Sequence, residues 1–174
     1  MIEASGGSSE SPGLPPAPQL MEEPPPPETQ AEEAFEDLEV DTPLVGIVMG
    51  SQSDMPVMEK AGQELEARGI LHETRVMSAH RDPDAVAAYS RNAKMRGLRV
   101  IIAGAGLAAA LPGVVAAHTE LPVIGVPLTS ANSVAGGLDA LLAIAQMPPG
   151  VPVACVAVNG ARNAAVLAAQ IIDA

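Results

Sequence analysis

The chain has 174 residues, enough for one domain of ordinary size. Its formal charge of −12 is unevenly placed: residues 1–43 hold eleven acids and no Lys or Arg, leaving ten acids against nine bases in the rest. The acidity therefore describes a tail, and the nearly neutral remainder carries no basic stripe, so nucleic acid is not an expected partner.

Residues 1–42 are rich in Pro, Glu, Ser and Gly, with an unbroken run from Pro24 to Pro27. Such a segment cannot bury enough apolar surface to offset its chain entropy. A disordered tail is expected here, extended near Pro24, with a transient helix over Glu32 to Val40. It reads as a solvating tail with no chemistry, the alternative being a docking segment that folds on a partner. No basic stretch followed by an apolar run marks a secretory signal at the N-terminus. No uninterrupted apolar run approaches the ~20 residues that span a bilayer, so no membrane association is expected.

From Leu44 the pattern changes. Short β-branched runs alternate with Ala- and Leu-rich helical runs. The expected strands are Leu44–Met49, Glu73–Met77, Arg99–Ala103, Pro122–Val126 and Val153–Val158. The expected helices are Asp54–Ala67, Pro83–Met95, Pro112–His118, Gly137–Ala145 and Arg162–Ile172. This alternation predicts an α/β domain over residues 43–174, built of βαβ units around a parallel sheet with helices on both faces. Runs such as Val100-Ile-Ile-Ala103 fit strands covered on both sides. Tyr89 is the only aromatic beyond the tail, so Val, Ile, Leu, Met and Ala must fill the core. Val114-Val-Ala-Ala117 and Ala164-Ala-Val-Leu-Ala-Ala169 carry no charge, and a helix apolar all round must be buried all round. In so small a domain this points to burial against other subunits, and a homo-oligomer is expected. The single cysteine, Cys155, lies in an apolar strand and reads as a buried structural thiol. With no disulfide framework within one chain, a reducing cytoplasm is the expected compartment.

In an open parallel sheet, ligands bind beyond the carboxyl ends of the strands. The first strand is followed by Gly50-Ser-Gln-Ser-Asp54. Gly50 permits a tight turn, Ser53 or Asp54 can cap the next helix, and Ser51 and Ser53 can add hydroxyl contacts to an anion held at the helix N-terminus. By spacing alone the segment fits an ordinary capped turn as well as a phosphate site. It is neither a Walker loop nor a GxGxxG fingerprint, so ATP and dinucleotides are not indicated. The second strand is followed by Ser78-Ala-His-Arg-Asp-Pro83. Pro83 suits the first helical position and Asp82 its cap. His80 is then placed for proton transfer near neutral pH, and Arg81 for clamping a phosphate or carboxylate. A loop histidine beside a solvated arginine is the competing reading. His72 and His118 lack such a setting and read as surface or helix-end residues. The third strand is followed by Gly104-Ala-Gly-Leu-Ala-Ala-Ala-Leu-Pro-Gly113, small and apolar, which suits close backbone approach by a ligand or tight helix packing. Pro127-Leu-Thr-Ser-Ala-Asn-Ser133 and Gln146-Met-Pro-Pro-Gly-Val-Pro152 offer backbone and hydroxyl contacts. No metal-ligand cluster, Cys/His pair or paired carboxylates stand at a strand end, so neither a metal nor a cofactor is expected.

Taken together, Val45-Gly-Ile-Val-Met-Gly-Ser-Gln-Ser-Asp54, Ser78-Ala-His-Arg81, Ile101-Ile-Ala-Gly-Ala-Gly106, Leu111-Pro-Gly113, Gly125-Val-Pro127, Gln146-Met-Pro148 and Asn163-Ala-Ala-Val-Leu-Ala-Ala-Gln170 closely resemble, in order and spacing, the PurE family of purine biosynthesis. The resemblance covers residues 44–174 and leaves out the tail. It implies a three-layer flavodoxin-like fold with about five parallel strands, assembled as a homo-octamer. It implies a mutase, a cytoplasmic isomerase that converts N5-carboxyaminoimidazole ribonucleotide to 4-carboxy-5-aminoimidazole ribonucleotide without ATP, biotin or metal. Alternatives are direct carboxylation of aminoimidazole ribonucleotide with CO2, as in the animal-type branch, carboxylation of another heterocycle, and a non-catalytic ribonucleotide-binding homologue. Carried over by position, His80 would be the general acid and base. Ser51, Asp54 and Arg81 would bind the ribonucleotide, with Arg81 on the phosphate, helped by Ser53, Ser78, Gly104 and Gly106. The chain departs from the bacterial pattern at Leu107, where that pattern has glycine, and at Ala110, where it has a second histidine. Ser130–Gly137 is slightly longer than usual. The sequence ends at Ala174, short of the C-terminal helix common in bacterial members; if that helix helps bind subunits together, weaker assembly is expected.

Overall fold

A computed structural model describes residues 42–174. The expected disordered tail lies, except for its last residue, outside the described residues. The described elements run β1 (Val45–Met49), α1 (Met55–Ala67), β2 (His72–Val76), α2 (Pro83–Asn92), β3 (Val100–Gly106), α3 (Ala110–Ala117), β4 (Val123–Leu128), α4 (Leu138–Ala145), β5 (Ala154–Cys155) and α5 (Ala161–Ile172). Single 3-10 turns precede α1 (Gln52–Asp54) and α4 (Val134–Gly137) and follow α2 (Lys94–Arg96). All five strands are parallel, in the order β2-β1-β3-β4-β5. This is the flavodoxin-like order, with its switch point between β1 and β3.

Successive side chains of a strand point to opposite faces, and two cores result. Val45, Ile47 and Met49 of β1, with Val100 and Ile102 of β3, pack against Met58, Ala61 and Leu65 of α1 and the small face Ala161, Ala164, Ala165 and Ala168 of α5. Val48, Ile101, Ala103 and Ala105 pack on the other face against Val86, Tyr89, Leu111, Val115, Ala140 and Ile144, from α2, α3 and α4. Alanine on α5 lets that helix lie close to the sheet. Tyr89, the one aromatic among the described residues, lies with its buried hydroxyl over the α-carbon of Gly46. Burial, with Glu73 nearby, pushes that hydroxyl's pKa up. Arg96 covers the ring from outside at 5.1 Å and pairs with Glu73.

Several boundaries differ from the sequence reading. β3 runs on to Gly106, because Gly104, Ala105 and Gly106 stay extended and pair with Val126, Pro127 and Leu128 of β4. The expected loop therefore begins only at Leu107. α3 starts at Ala110, not at Pro112; proline fits there because it still lies in the first turn, where N–H groups have no helical partner. The expected strand Val153–Val158 shrinks to Ala154–Cys155, paired with Ile124 and Gly125. As an edge strand it contributes one residue more of pairing, Val156 N–H to the Gly125 carbonyl at 3.1 Å. Cys155 is only partly buried, and that burial pushes its thiol pKa up. His118 stands at the end of α3 as expected, its Nδ1 2.9 Å from the Val114 carbonyl. His72 does not lie at a helix end: it is in β2, half-buried, its ring against Gly62 of α1.

Candidate active site

The loops after β1, β2, β3 and β4 enclose a cleft of about 350 Å³ at the carboxyl ends of the strands. The β1 turn is built by a reciprocal cap. Ser51 Oγ accepts from Ser53 N–H at 3.3 Å, and Asp54 Oδ2 accepts from Ser51 N–H at 3.0 Å. The Ser53 hydroxyl donates to Ser51 Oγ at 2.9 Å. Capping thus falls to Ser51 and not to Ser53, and although Asp54 stands at the N-cap of α1, its carboxylate turns back to Ser51 and makes no side-chain cap bond to α1. The outcome is a stiff polar turn whose carboxylate and hydroxyls line the cleft. Burial raises the Asp54 pKa; the Ser51 N–H and the neighbouring Arg81 charge oppose this without overcoming it.

The β2 turn is set by two bonds: Asp82 N–H donates to the Ser78 carbonyl at 2.9 Å, and Arg81 N–H reaches Ser78 Oγ at 3.4 Å. Asp82 then caps α2 by accepting from Ala85 N–H at 3.3 Å, with Pro83 at the first helical position. Both cap assignments match the sequence. The turn leaves His80 and Arg81 exposed. Arg81 Nη2 donates to the Gly50 carbonyl at 2.7 Å, which ties the two turns together across the β1–β2 edge. The basic side chain therefore sits over the start of the capped turn.

Of the residues singled out in the sequence, Ser51, Ser53, Asp54, Ser78, His80, Arg81 and Gly106 all line this one cleft. Gly104 does not. It is buried in β3, where a β-carbon would press on Met58 and Leu128. Its smallness serves packing between sheet and α1, a purpose that a glycine-rich run cannot reveal before the strand's end is known. The opposite wall is apolar: Leu107, Ala109, Ala110, Leu111 and Leu128. Thr129 and Ser130 complete the rim. These two stood in a polar run after the fourth strand, but their number among several hydroxyls gave no means of picking them out. Leu107 and Ala109 are left-handed, at φ 56° and 42°.

The AIR carboxylase family model matches residues 44–174. An N5-carboxyaminoimidazole ribonucleotide mutase of Thermotoga maritima is 58% identical over 130 residues, covering 75% of this chain and 75% of that protein. One from Pyrococcus abyssi is 55% identical over 136 residues, covering 78% of this chain and 77% of that protein. Among solved structures, Treponema denticola PurE superimposes with a TM-score of 0.65 at 34% identity, over 75% of this chain and 80% of that one. The strand order, the placement of the two polar turns and the similarity along residues 44–174 agree: the chain belongs to the AIR carboxylase family.

Proposed function

We propose that the protein converts N5-carboxyaminoimidazole ribonucleotide to 4-carboxy-5-aminoimidazole ribonucleotide in de novo purine biosynthesis, by ATP-independent transfer of the carboxylate. The observation that carries this reading is the pairing of His80 and Arg81, in one turn, with the capped Ser51–Asp54 turn across a cleft whose other wall is apolar. The similar proteins from Thermotoga maritima and Pyrococcus abyssi are named as mutases for that substrate.

Each residue has a role that its chemistry fits. Arg81 offers a planar fork to the phosphate beside the hydroxyls of Ser51 and Ser53. Asp54 and Ser78 serve the polar remainder of the ribonucleotide, and the Gly106 backbone admits it closely. His80 acts as acid and then as base. It first protonates the exocyclic nitrogen, the N–CO2 bond breaks, and CO2 and the free amine form in the cleft. The ring carbon C4 then attacks CO2, and His80 takes back the C4 proton, so the sequence is an isomerisation with no net proton change. Leu107, Ala109, Ala110, Leu111 and Leu128 form a wall suited to a neutral gas molecule. Holding CO2 beside C4 supplies an effective concentration that solution lacks.

We assign this chemistry to residues 43–174 and none of it to residues 1–42. A homo-octamer in the cytoplasm, needing no cofactor, completes the reading. Apolar surface that the described residues leave uncovered supports the assembly: Leu138 and Leu142 of α4 are 45% and 46% exposed, and Val134 beside them 65%. No described helix is long and apolar enough to cross a membrane.

The test supplies the purified full chain with the carboxyamino ribonucleotide, or with the free amine plus bicarbonate, and follows the C4-carboxylated product. Turnover of the first without ATP is expected. Turnover of the second alone would replace this reading with direct carboxylation, and turnover of neither, with binding retained, would leave a ribonucleotide-binding module. His80→Asn is expected to lower turnover by at least about a hundredfold while ligand affinity changes little; equal activity would refute the histidine's role.

A further inference from the structure

β5 ends at Cys155 and its last ladder bond is made by Val156, whereas β4 runs on to Leu128. The carboxyl end of β4 therefore lacks a neighbouring strand on its outer side, at the point where its chain turns into the cleft rim. Three bonds from one residue stand in for the missing strand. Asn159 N–H donates to the Pro127 carbonyl at 2.8 Å. Asn159 Oδ1 accepts from Thr129 N–H at 3.1 Å, and Asn159 Nδ2 donates to Thr129 Oγ1 at 2.8 Å. Asn159 does this from a left-handed backbone, φ 56°, a conformation that asparagine tolerates better than most residues. Thr129 and its neighbour Ser130 line the cleft.

The direction of the last bond has a chemical consequence. An amide nitrogen can only donate, so the Thr129 hydroxyl oxygen must accept from Asn159. The hydroxyl proton is left for another acceptor. We propose that Asn159 is a positioning residue that holds Thr129 as a hydrogen-bond donor to the bound anionic ligand, at the rim opposite Arg81. This rests on the carboxylated ribonucleotide being the ligand of the cleft. The group fits an acceptor-only oxygen, such as a carboxylate or phosphate oxygen, and would not serve a ligand that needs an acceptor there.

Asn159→Asp tests this directly. The carboxylate keeps an acceptor for Thr129 N–H but cannot donate to Oγ1, so it draws the Thr129 proton toward itself and away from the ligand. With a thermal midpoint near that of the wild type, KM for the carboxyamino ribonucleotide is expected to rise about tenfold, the loss of one hydrogen bond to a charged group, with a smaller change in kcat. Thr129→Val should give a similar rise, Thr129→Ser should restore the wild-type KM, and adding Asn159→Asp to Thr129→Val should add little, because both act on one proton. An Asn159→Asp enzyme with wild-type KM, or full additivity of the two changes, would overturn the inference while leaving the functional reading intact. A wild type that neither binds nor turns over the ribonucleotide would overturn both.

Discussion

Leu107 is one of the two residues of this loop at which the chain departs from the bacterial pattern, and its backbone is left-handed. The turn leaving β3 requires φ 56° there, and 42° at Ala109 two residues on. A left-handed backbone costs a side-chain-bearing residue about 1–2 kcal/mol, and glycine almost none. The glycine of the bacterial pattern is thus explained by the turn, which no local sequence signal shows. Leu107→Gly is expected to stabilise the protein by about 1 kcal/mol, the relief of strain exceeding the extra chain entropy of glycine. Thermal denaturation at fixed protein concentration should then show a midpoint higher by a few degrees. A lower midpoint would mean that the half-exposed leucine side chain makes contacts in the assembled protein worth more than the strain. At this same scale, His80 and Arg81 could be picked out from residue type and position after a strand, whereas Asp54 reads there as a helix cap and enters the site only through the resemblance. Thr129 and Asn159 could not be picked out, because their partnership joins residues 30 apart through a strand end whose position depends on how far β5 pairs.

Elements were legible where a pattern was long. All five helices lie within a few residues of their expected positions, most securely where a local start signal is present, as with Asp82-Pro83 at α2; α3, which lacks a side-chain cap, starts two residues before the expected Pro112. Strand ends were less legible. Extension of β3 through Gly104 to Gly106 and loss of most of β5 depend on what lies alongside in the sheet, and that information is non-local. Helix pairing was equally hidden. α1 and α5 are joined across one sheet face by Glu64, which accepts from Arg68 Nε at 2.9 Å and from Arg162 Nε at 2.7 Å, 98 residues away. The two guanidinium groups lower the pKa of Glu64 below its ordinary 4.5. A carboxylate whose folded value is depressed stabilises the fold fully above its unfolded value and loses that contribution as pH falls through the folded one. Glu64→Gln should therefore lower the thermal midpoint at neutral pH, and the gap from the wild type should close as pH drops below about 4.5. A gap of constant size across that range would show that the bond geometry matters and the charge does not.

At the scale of the whole molecule, the all-parallel order β2-β1-β3-β4-β5 followed from no single stretch of sequence, since periodicity fixes which face a residue takes and not which strand lies beside which. It was legible only through seven motifs in register. The assembly poses a related question, because the two cores account for one face of each helix and leave others uncovered. On α4, Ala140 and Ile144 are buried against the sheet while Leu138 and Leu142, four residues apart on the opposite side, stand 45% and 46% exposed. Val134 in the preceding turn extends this stripe. Residues three and four apart share a helix face, so α4 is apolar on two sides, and a second side left exposed among the described residues fits the subunit contact of the proposed octamer. Charge placed there should separate assembly from folding. Leu138→Glu together with Leu142→Glu is expected to shift the sedimentation coefficient toward a smaller species while the far-ultraviolet circular dichroism keeps its α/β form, since neither side chain fills a core position. If the double variant sediments as an oligomeric wild type does, this face of α4 is not the contact, and the proposed assembly would rest on other exposed apolar residues, of which Met95, at 83%, is the most open among those described.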